Sequence, residues 1–125
     1  MCLPIHCALT WPSRTRSNRV QTDLASLGRL DFEPPDLAKF PAIKLAQRAG
    51  EIGGTLPAVL NAANEIAVDA FCEEQTSFIG IAELVTEVMN RHEVINHPTL
   101  EEILQADQWA RKTARDLIGH GQIIA

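Results

Sequence analysis

Tyrosine is absent from this chain of 125 residues, and four Phe and two Trp are its only other aromatic residues apart from histidine. A hydrophobic core built from these residues must therefore be aliphatic. Cysteine is scarce. Cys2, Cys7 and Cys72 are an odd number at low density, which excludes a disulfide framework and favours a reducing compartment. Long hydrophobic runs are missing too. Stretches such as Ile66-Ala67-Val68 fall far short of the roughly 20 apolar residues a membrane span needs. There is no excess of positive charge. The formal net charge is −5, which argues against a phosphate-backbone binder and hence against nucleic acid as a partner.

What is present is ordinary for a globular protein. Apolar residues make up 46% and charged residues 22%, with seven Gly and seven Pro. This composition does not suit a disordered tail, a collagen or a mucin-like stalk. The length suits one domain able to bury its own core. Charge is unevenly placed, at net +3 over residues 1–30 and −8 over the remainder, with no acidic residue before Asp23. A basic, serine-bearing N-terminus can be an organelle transit peptide. Pro4 and Pro12 instead favour an extended connector, because proline interrupts an amphipathic helix.

Residues 1–35 show no sustained helical period. A single turn is expected around Leu24 and Leu27, and a short extended piece at Leu30-Asp31-Phe32. Glu33-Pro34-Pro35-Asp36 marks a boundary, since adjacent prolines fix φ and remove two donors. Beyond it helical signals dominate. Pro41 at a first turn and Gly50 as a terminator predict a helix over 41–49. Gly53-Gly54-Thr55 reads as a loop. A second helix is predicted from Pro57 to about Glu74, with Leu56, Leu60, Ala63, Ala67, Ala70 and Phe71 forming one apolar face. In a third, Ile81, Leu84, Val85, Val88 and Met89 keep perfect helical spacing, with Gly80 as the expected cap and Thr86, Glu87 and Asn90 opposite. A loop is predicted over 91–98. Thr99-x-x-Glu102 is a capping-box signature for a short helix through Leu104. Asp107 reads as the N-cap of a last helix ending near Ile118, whose inner face carries Ala110, Ala114 and Leu117. The expected fold is all-α: a bundle of four to five helices over 36–125, preceded by an extended connector over 1–35.

Self-contained catalytic chemistry is not legible. Gly50-x-x-Gly53-Gly54 follows a helix and lacks a Lys-Ser/Thr partner, so it is neither a P-loop nor a Rossmann fingerprint. Cys2, His6 and Cys7, or His92, His97 and His120, lack the paired spacing of a zinc site. His6 and Cys7 are adjacent in sequence, which does not bring their side chains together. Cys72, inside a helix, reads as a small hydrophobe. The departure from an ordinary bundle lies in Leu60-Asn61-Ala62-Ala63-Asn64-Glu65. On a helical projection Asn61 and Glu65 fall nearly opposite the apolar arc and Asn64 at its edge, with Val68 and Cys72 toward the Asn61 side. A solvent face would be richer in lysine and glutamate. This one reads either as a surface of chance composition or as a second buried face whose Asn and Glu are satisfied by other protein.

The run from Leu56 to Glu65, followed by Ala67-Val68 and Ala70-Phe71, closely resembles the C-terminal region of the 1-deoxy-D-xylulose 5-phosphate reductoisomerases. Further matching pieces come in the same order: Leu3-Pro4-Ile5, Ala8-Leu9-Thr10-Trp11-Pro12, Leu27-Gly28-x-Leu30-x-Phe32, Pro35-Asp36, and Phe40 to Ala46. The resemblance implies the end of a catalytic domain, a linker and a helical bundle. The enzymes of this family rearrange a sugar phosphate and reduce it with NADPH, using Mg²⁺ or Mn²⁺, in non-mevalonate isoprenoid synthesis. The partners implied are the catalytic and NADPH-binding domains, usually in a homodimer. The compartment implied is the cytoplasm for a bacterial protein and the plastid for a plant or algal one. The family's dinucleotide, metal and substrate motifs have no counterpart here, so no catalytic or metal residue carries over. Met1 aligns with a methionine near the nicotinamide, although Cys2 replaces the arginine that usually follows. Asn61, Asn64 and Glu65 become an expected interdomain face. Two other readings are a stand-alone interaction module derived from the enzyme, and an enzyme completed in trans.

Overall fold

The computed structural model describes residues 2–13, 15 and 23–119, and every regular element among them is a helix. In chain order these are α1 (Cys2–Thr10), α2 (Leu24–Leu27), α3 (Ala42–Ile52), α4 (Leu56–Cys72), α5 (Phe78–Arg91) and α6 (Leu100–Gly119). The chain divides into two compact units, Met1–Pro34 and Pro35–Ala125. The first carries α1 and α2, and the second is the expected all-α bundle, built of four helices.

In the first unit α1 corrects the expectation of a purely extended connector. Pro4 is only the third residue of α1, in the first turn, where backbone N–H groups have no intrahelical partner and proline costs little. No residue of α1 is buried. The turn at Leu24–Leu27 forms as expected and is capped by Asp23, which accepts from the Ala25 amide at 3.0 Å. Residues 28–35 form no regular element.

In the second unit α4 is the central element, packed against α3, α5 and α6, and α5 also touches α6. Its buried residues are Leu56, Val59, Ala62, Ala63, Ile66, Ala67 and Ala70. The arc is wider than the expected face because helices cover α4 from more than one side. Leu60 is only half-buried, and Phe71 is exposed with its ring edge-on to Phe78. On α5, Leu84, Val85, Val88 and Met89 are buried as their spacing requires. The contribution of α6 is Ala106, Ala110, Ala114 and Leu117. The buried face of α6 is thus largely alanine, whose small side chains let helices approach closely, and Ile66 and Ala70 of α4 lie beside its Arg115 and Ile118. Arg48 on α3 donates to Asn90 Oδ1 on α5 at 2.7 Å.

Three helix boundaries differ from expectation. Gly50 lies inside α3, and Gly53, at φ 71°, is the residue that ends it. One helical glycine costs only about 1 kcal/mol against alanine, too little to stop a helix that has a better terminator three residues on. The N-cap of α5 is Ser77, whose Oγ accepts from the Gly80 amide at 3.0 Å. Gly80 itself is buried, where a Cβ would overlap the Thr76 hydroxyl; its glycine identity serves packing. The third difference is that α6 is one helix rather than two. The capping box at its start is reciprocal: Thr99 N donates to Glu102 Oε2 at 2.7 Å, and Glu102 N to Thr99 Oγ1 at 3.3 Å. No breaker follows Leu104, so the helix runs on through Asp107, which pairs with Arg111 at i+4 instead of capping.

Candidate interdomain face

The outer face of α4 carries Asn61, Glu65, Val68 and Cys72, all exposed. Asn61 and Glu65 are one turn apart, and Asn61 Nδ2 donates to Glu65 Oε1 at 2.9 Å. The second carboxylate oxygen, Oε2, accepts from Arg111 Nη2 of α6 at 2.7 Å. Arg111 Nε in turn donates to Asp107 Oδ2 at 2.8 Å. A chain of four polar side chains therefore crosses from α4 to α6. The Arg111 hydrogen bond, then that from Asn61, holds the Glu65 carboxyl below the usual carboxylate range. Asp107 and Glu65 together push the Arg111 guanidinium upward. The stability Glu65 contributes is therefore present at neutral pH and lost as pH falls through its lowered value.

Asn64 does not join this chain. It borders a small crevice between α3, α4 and α5, beside Leu45, Leu60 and Ile81. Asn64 thus lies apart from Asn61 and Glu65, at the edge of the apolar arc where the helical projection puts it. Cys72 and Val68, toward the Asn61 side of the helix, are exposed at the helix surface.

A family model described as the DXP reductoisomerase C-terminal domain matches residues 1–113. The chain belongs to that family. The 1-deoxy-D-xylulose 5-phosphate reductoisomerase of Halothermothrix orenii is 47% identical over 119 residues, covering 95% of this chain and 31% of that protein. The solved reductoisomerase of Zymomonas mobilis, in complex with NADPH, superposes with a TM-score of 0.82 at 38% identity, covering 92% of this chain and 30% of that one. A solved DOX-P reductoisomerase in complex with NADPH, fosmidomycin and magnesium gives 0.75 at 36% identity, covering 98% of this chain and 32% of that one. The chain therefore spans about one third of the length of its relatives.

Within this reductoisomerase C-terminal domain, the remaining sequence candidates are dispersed. Met1 and His120 lie outside the described residues. His6 Nε2 is 2.9 Å from the Thr15 carbonyl, while Cys2 and Cys7 are free and exposed. Among the described residues no three His, Cys, Asp or Glu side chains converge as a metal site would require. No step through a metal ion is assigned to this chain. No described helix is long and apolar enough to cross a membrane.

Sequence reasoning missed Thr55. It is fully buried, and its Oγ1 lies 2.7 Å from His92 Nε2 while accepting from the Ile95 amide at 3.1 Å. Thr55 N also donates to the Ile95 carbonyl at 3.2 Å, so this residue pins the α5–α6 loop to the start of α4. The His92 ring also lies 5.1 Å from that of Trp109. Burial keeps the His92 imidazole below its ordinary value of 6.5, opposed by the charge of Glu93. The neutral ring is the one the fold favours, so its stabilising contribution is complete above the ordinary value and is lost as pH falls through the lowered one. Thermal midpoints measured between neutral and mildly acidic pH should therefore fall with acidification. His92→Gln should flatten that part of the profile. An unchanged slope would place its origin elsewhere.

Proposed function

We propose that this chain is the structural third of a DXP reductoisomerase: a bundle that supports the catalytic domain and is inactive alone. The enzyme it would complete rearranges 1-deoxy-D-xylulose 5-phosphate and reduces it with NADPH, aided by Mg²⁺ or Mn²⁺, to 2-C-methyl-D-erythritol 4-phosphate. The extent of the match supports this reading, with 95% of the chain aligned to 31% of a full-length relative. Hydride transfer requires a cofactor held against its substrate. The Gly-rich cradle and carboxylate cluster that would hold both have no counterpart in this sequence. The partners are then the catalytic and NADPH-binding domains of the same enzyme, in the homodimer usual for the family. The compartment is the cytoplasm in a bacterium and the plastid in a plant or alga.

Purified chain supplied with NADPH, sugar phosphate and Mg²⁺ should show no substrate-dependent oxidation of NADPH. Turnover by the chain alone would overturn the reading.

We infer that the exposed Asn61–Glu65 face meets the catalytic domain, with Asn64 at a neighbouring edge. In the isolated chain water solvates Asn61 and Glu65, so Asn61→Ala with Glu65→Ala should lower the thermal midpoint only slightly. Arg111 keeps Asp107 as a partner. In a full-length protein carrying this bundle, the same pair should cost markedly more, because polar groups of the partner domain would be left buried and unsatisfied. Equal losses in both contexts would make Asn61 and Glu65 part of the bundle's own architecture and remove them from the interface.

A further inference from the structure

The contact between Thr55 and His92 fixes where one proton lies. A threonine hydroxyl has one hydrogen to donate and lone pairs with which to accept. Thr55 Oγ1 accepts from the Ile95 amide at 3.1 Å and lies 2.7 Å from His92 Nε2. These are its polar partners among the described residues, and Thr55 is closed off from water. The hydroxyl hydrogen therefore goes to Nε2, which must accept it. His92 is then neutral, with its own proton on Nδ1. An imidazolium carries a hydrogen on both nitrogens. At Nε2 that hydrogen would meet the one from the hydroxyl, and turning the hydroxyl aside would strand a buried donor. The charged ring has no satisfied position against Thr55.

It has one on its other side. His92 is the first residue after α5, is half-buried, and borders an open crevice of about 390 Å³ between the α5–α6 loop and α6. Glu93, Glu102 and Trp109 line that crevice, with the indole ring 5.1 Å from the imidazole. Two carboxylates and an aromatic face suit a cation. Thr99 donates to Glu102 from both its amide and its hydroxyl, which keeps that carboxylate ionised. Arg91, a cation on the same wall, is held by Glu87 at 2.7 Å. From α4 the group facing the ring is the uncharged Thr55 hydroxyl. We propose that His92 is a proton-operated latch: the neutral ring closes the loop onto Thr55, and protonation swings the ring into the crevice and loosens the loop at Ile95 while the helices stay packed. With the ring gone, water reaches the Thr55 hydroxyl and competes for it with the Ile95 amide. The device belongs to the bundle itself and is independent of the function proposed above.

Nuclear magnetic resonance on the purified chain tests the latch. At neutral pH the ring nitrogen shifts of His92 should show a hydrogen on Nδ1 and none on Nε2. The Thr55 and Ile95 amides should exchange through a local opening. They should exchange faster than those of the buried Val88 and Ala110, and dilute urea should not affect them, because a local opening exposes little surface. Their protection should fall by up to about tenfold between about pH 7.5 and about pH 5.5, which straddle the ordinary imidazole value of 6.5. His92→Gln keeps an acceptor for the hydroxyl and cannot titrate, so it should abolish that fall. His97→Asn changes an exposed histidine of the same loop, at a positive φ that asparagine tolerates, and should leave the fall intact. A hydrogen on Nε2 at neutral pH would overturn the proposal. So would protection that does not change with pH, or a fall that survives His92→Gln. Urea that speeds Ile95 and Val88 alike would exclude a local opening and with it the latch. The shifts, the urea response and the pH response need only the unaltered chain, so a His92→Gln protein that fails to fold leaves the test in place.

Discussion

Gly54→Ala is expected to destabilise the bundle by about 2–5 kcal/mol, combining left-handed backbone strain with overpacking. Gly54 sits at φ +58°, and a Cβ there would overlap the Ile95 carbonyl and press on Val94. The obstacle is backbone, which cannot rotate away. Ile95 is also the residue that exchanges hydrogen bonds with Thr55, so any relief must loosen the pinned loop. Gly53 provides the control. It too has positive φ, at 71°, but has open space around its Cα. Gly53→Ala should therefore cost only the backbone strain, about 1–3 kcal/mol. Amide hydrogen exchange separates the two mechanisms. Gly54→Ala should speed exchange at Thr55 and Ile95 beyond the global loss of stability, and Gly53→Ala should not. If both variants speed these amides alike, the overlap with Ile95 is not the cause.

Truncation of Leu84 is expected to be comparably severe. Leu84 is completely buried at the middle of α5. Its neighbours in the core belong to helices that are themselves packed on α4, so the site has little room to collapse. Leu84→Ala should cost about 2–5 kcal/mol, a large part of the roughly 5–15 kcal/mol that stabilises a typical domain. Val88→Ala, which removes fewer atoms from an equally buried position, should cost less. Thr86 lies two residues along the same helix but turns to the other side, where its hydroxyl donates to the Ala82 carbonyl at 2.6 Å. Thr86→Ala should change stability by under about 0.5 kcal/mol. Urea unfolding of the three variants would check the ranking, and equal losses at Leu84 and Thr86 would refute the face assignment.

Where the sequence was legible, the signal was local and repeated. The α5 stripe from Ile81 to Met89 needs only helical geometry to be read, and so does the Thr99–Glu102 capping box. Errors arose where two local signals competed. Gly50 and Gly53 both resemble terminators, and only the positive φ demanded at Gly53 decides between them. Ser77 and Gly80 both resemble caps, and the proximity of Thr76 to Gly80 is a packing fact. Asp107 resembles a cap until Arg111, one turn later, gives it an ion pair within a continuous helix. Pro4 reads as a breaker unless the helix is known to begin at Cys2. The Thr55–His92–Ile95 latch joins positions about 40 residues apart, and nothing near Thr55 in the chain announces it. The face on α4 was only half legible. The projection placed Asn61 and Glu65 together, but the Arg111 that ties Glu65 to α6 lies 46 residues away.

The alanine face of α6 has a mechanical consequence. On the α6 side Ala106, Ala110 and Ala114 are all buried, and an alanine side chain has no rotamer to change. A seam of leucines could absorb a small displacement by swinging side chains between wells. The alanines of α6 can respond only by moving with their backbone. The two longest helices among the described residues, α4 and α6, should therefore be coupled more stiffly than leucines would couple them. A push on α4 would be passed to α6 with little taken up by alanine side chains, and a body leaning on the bundle would find a prop rather than a spring.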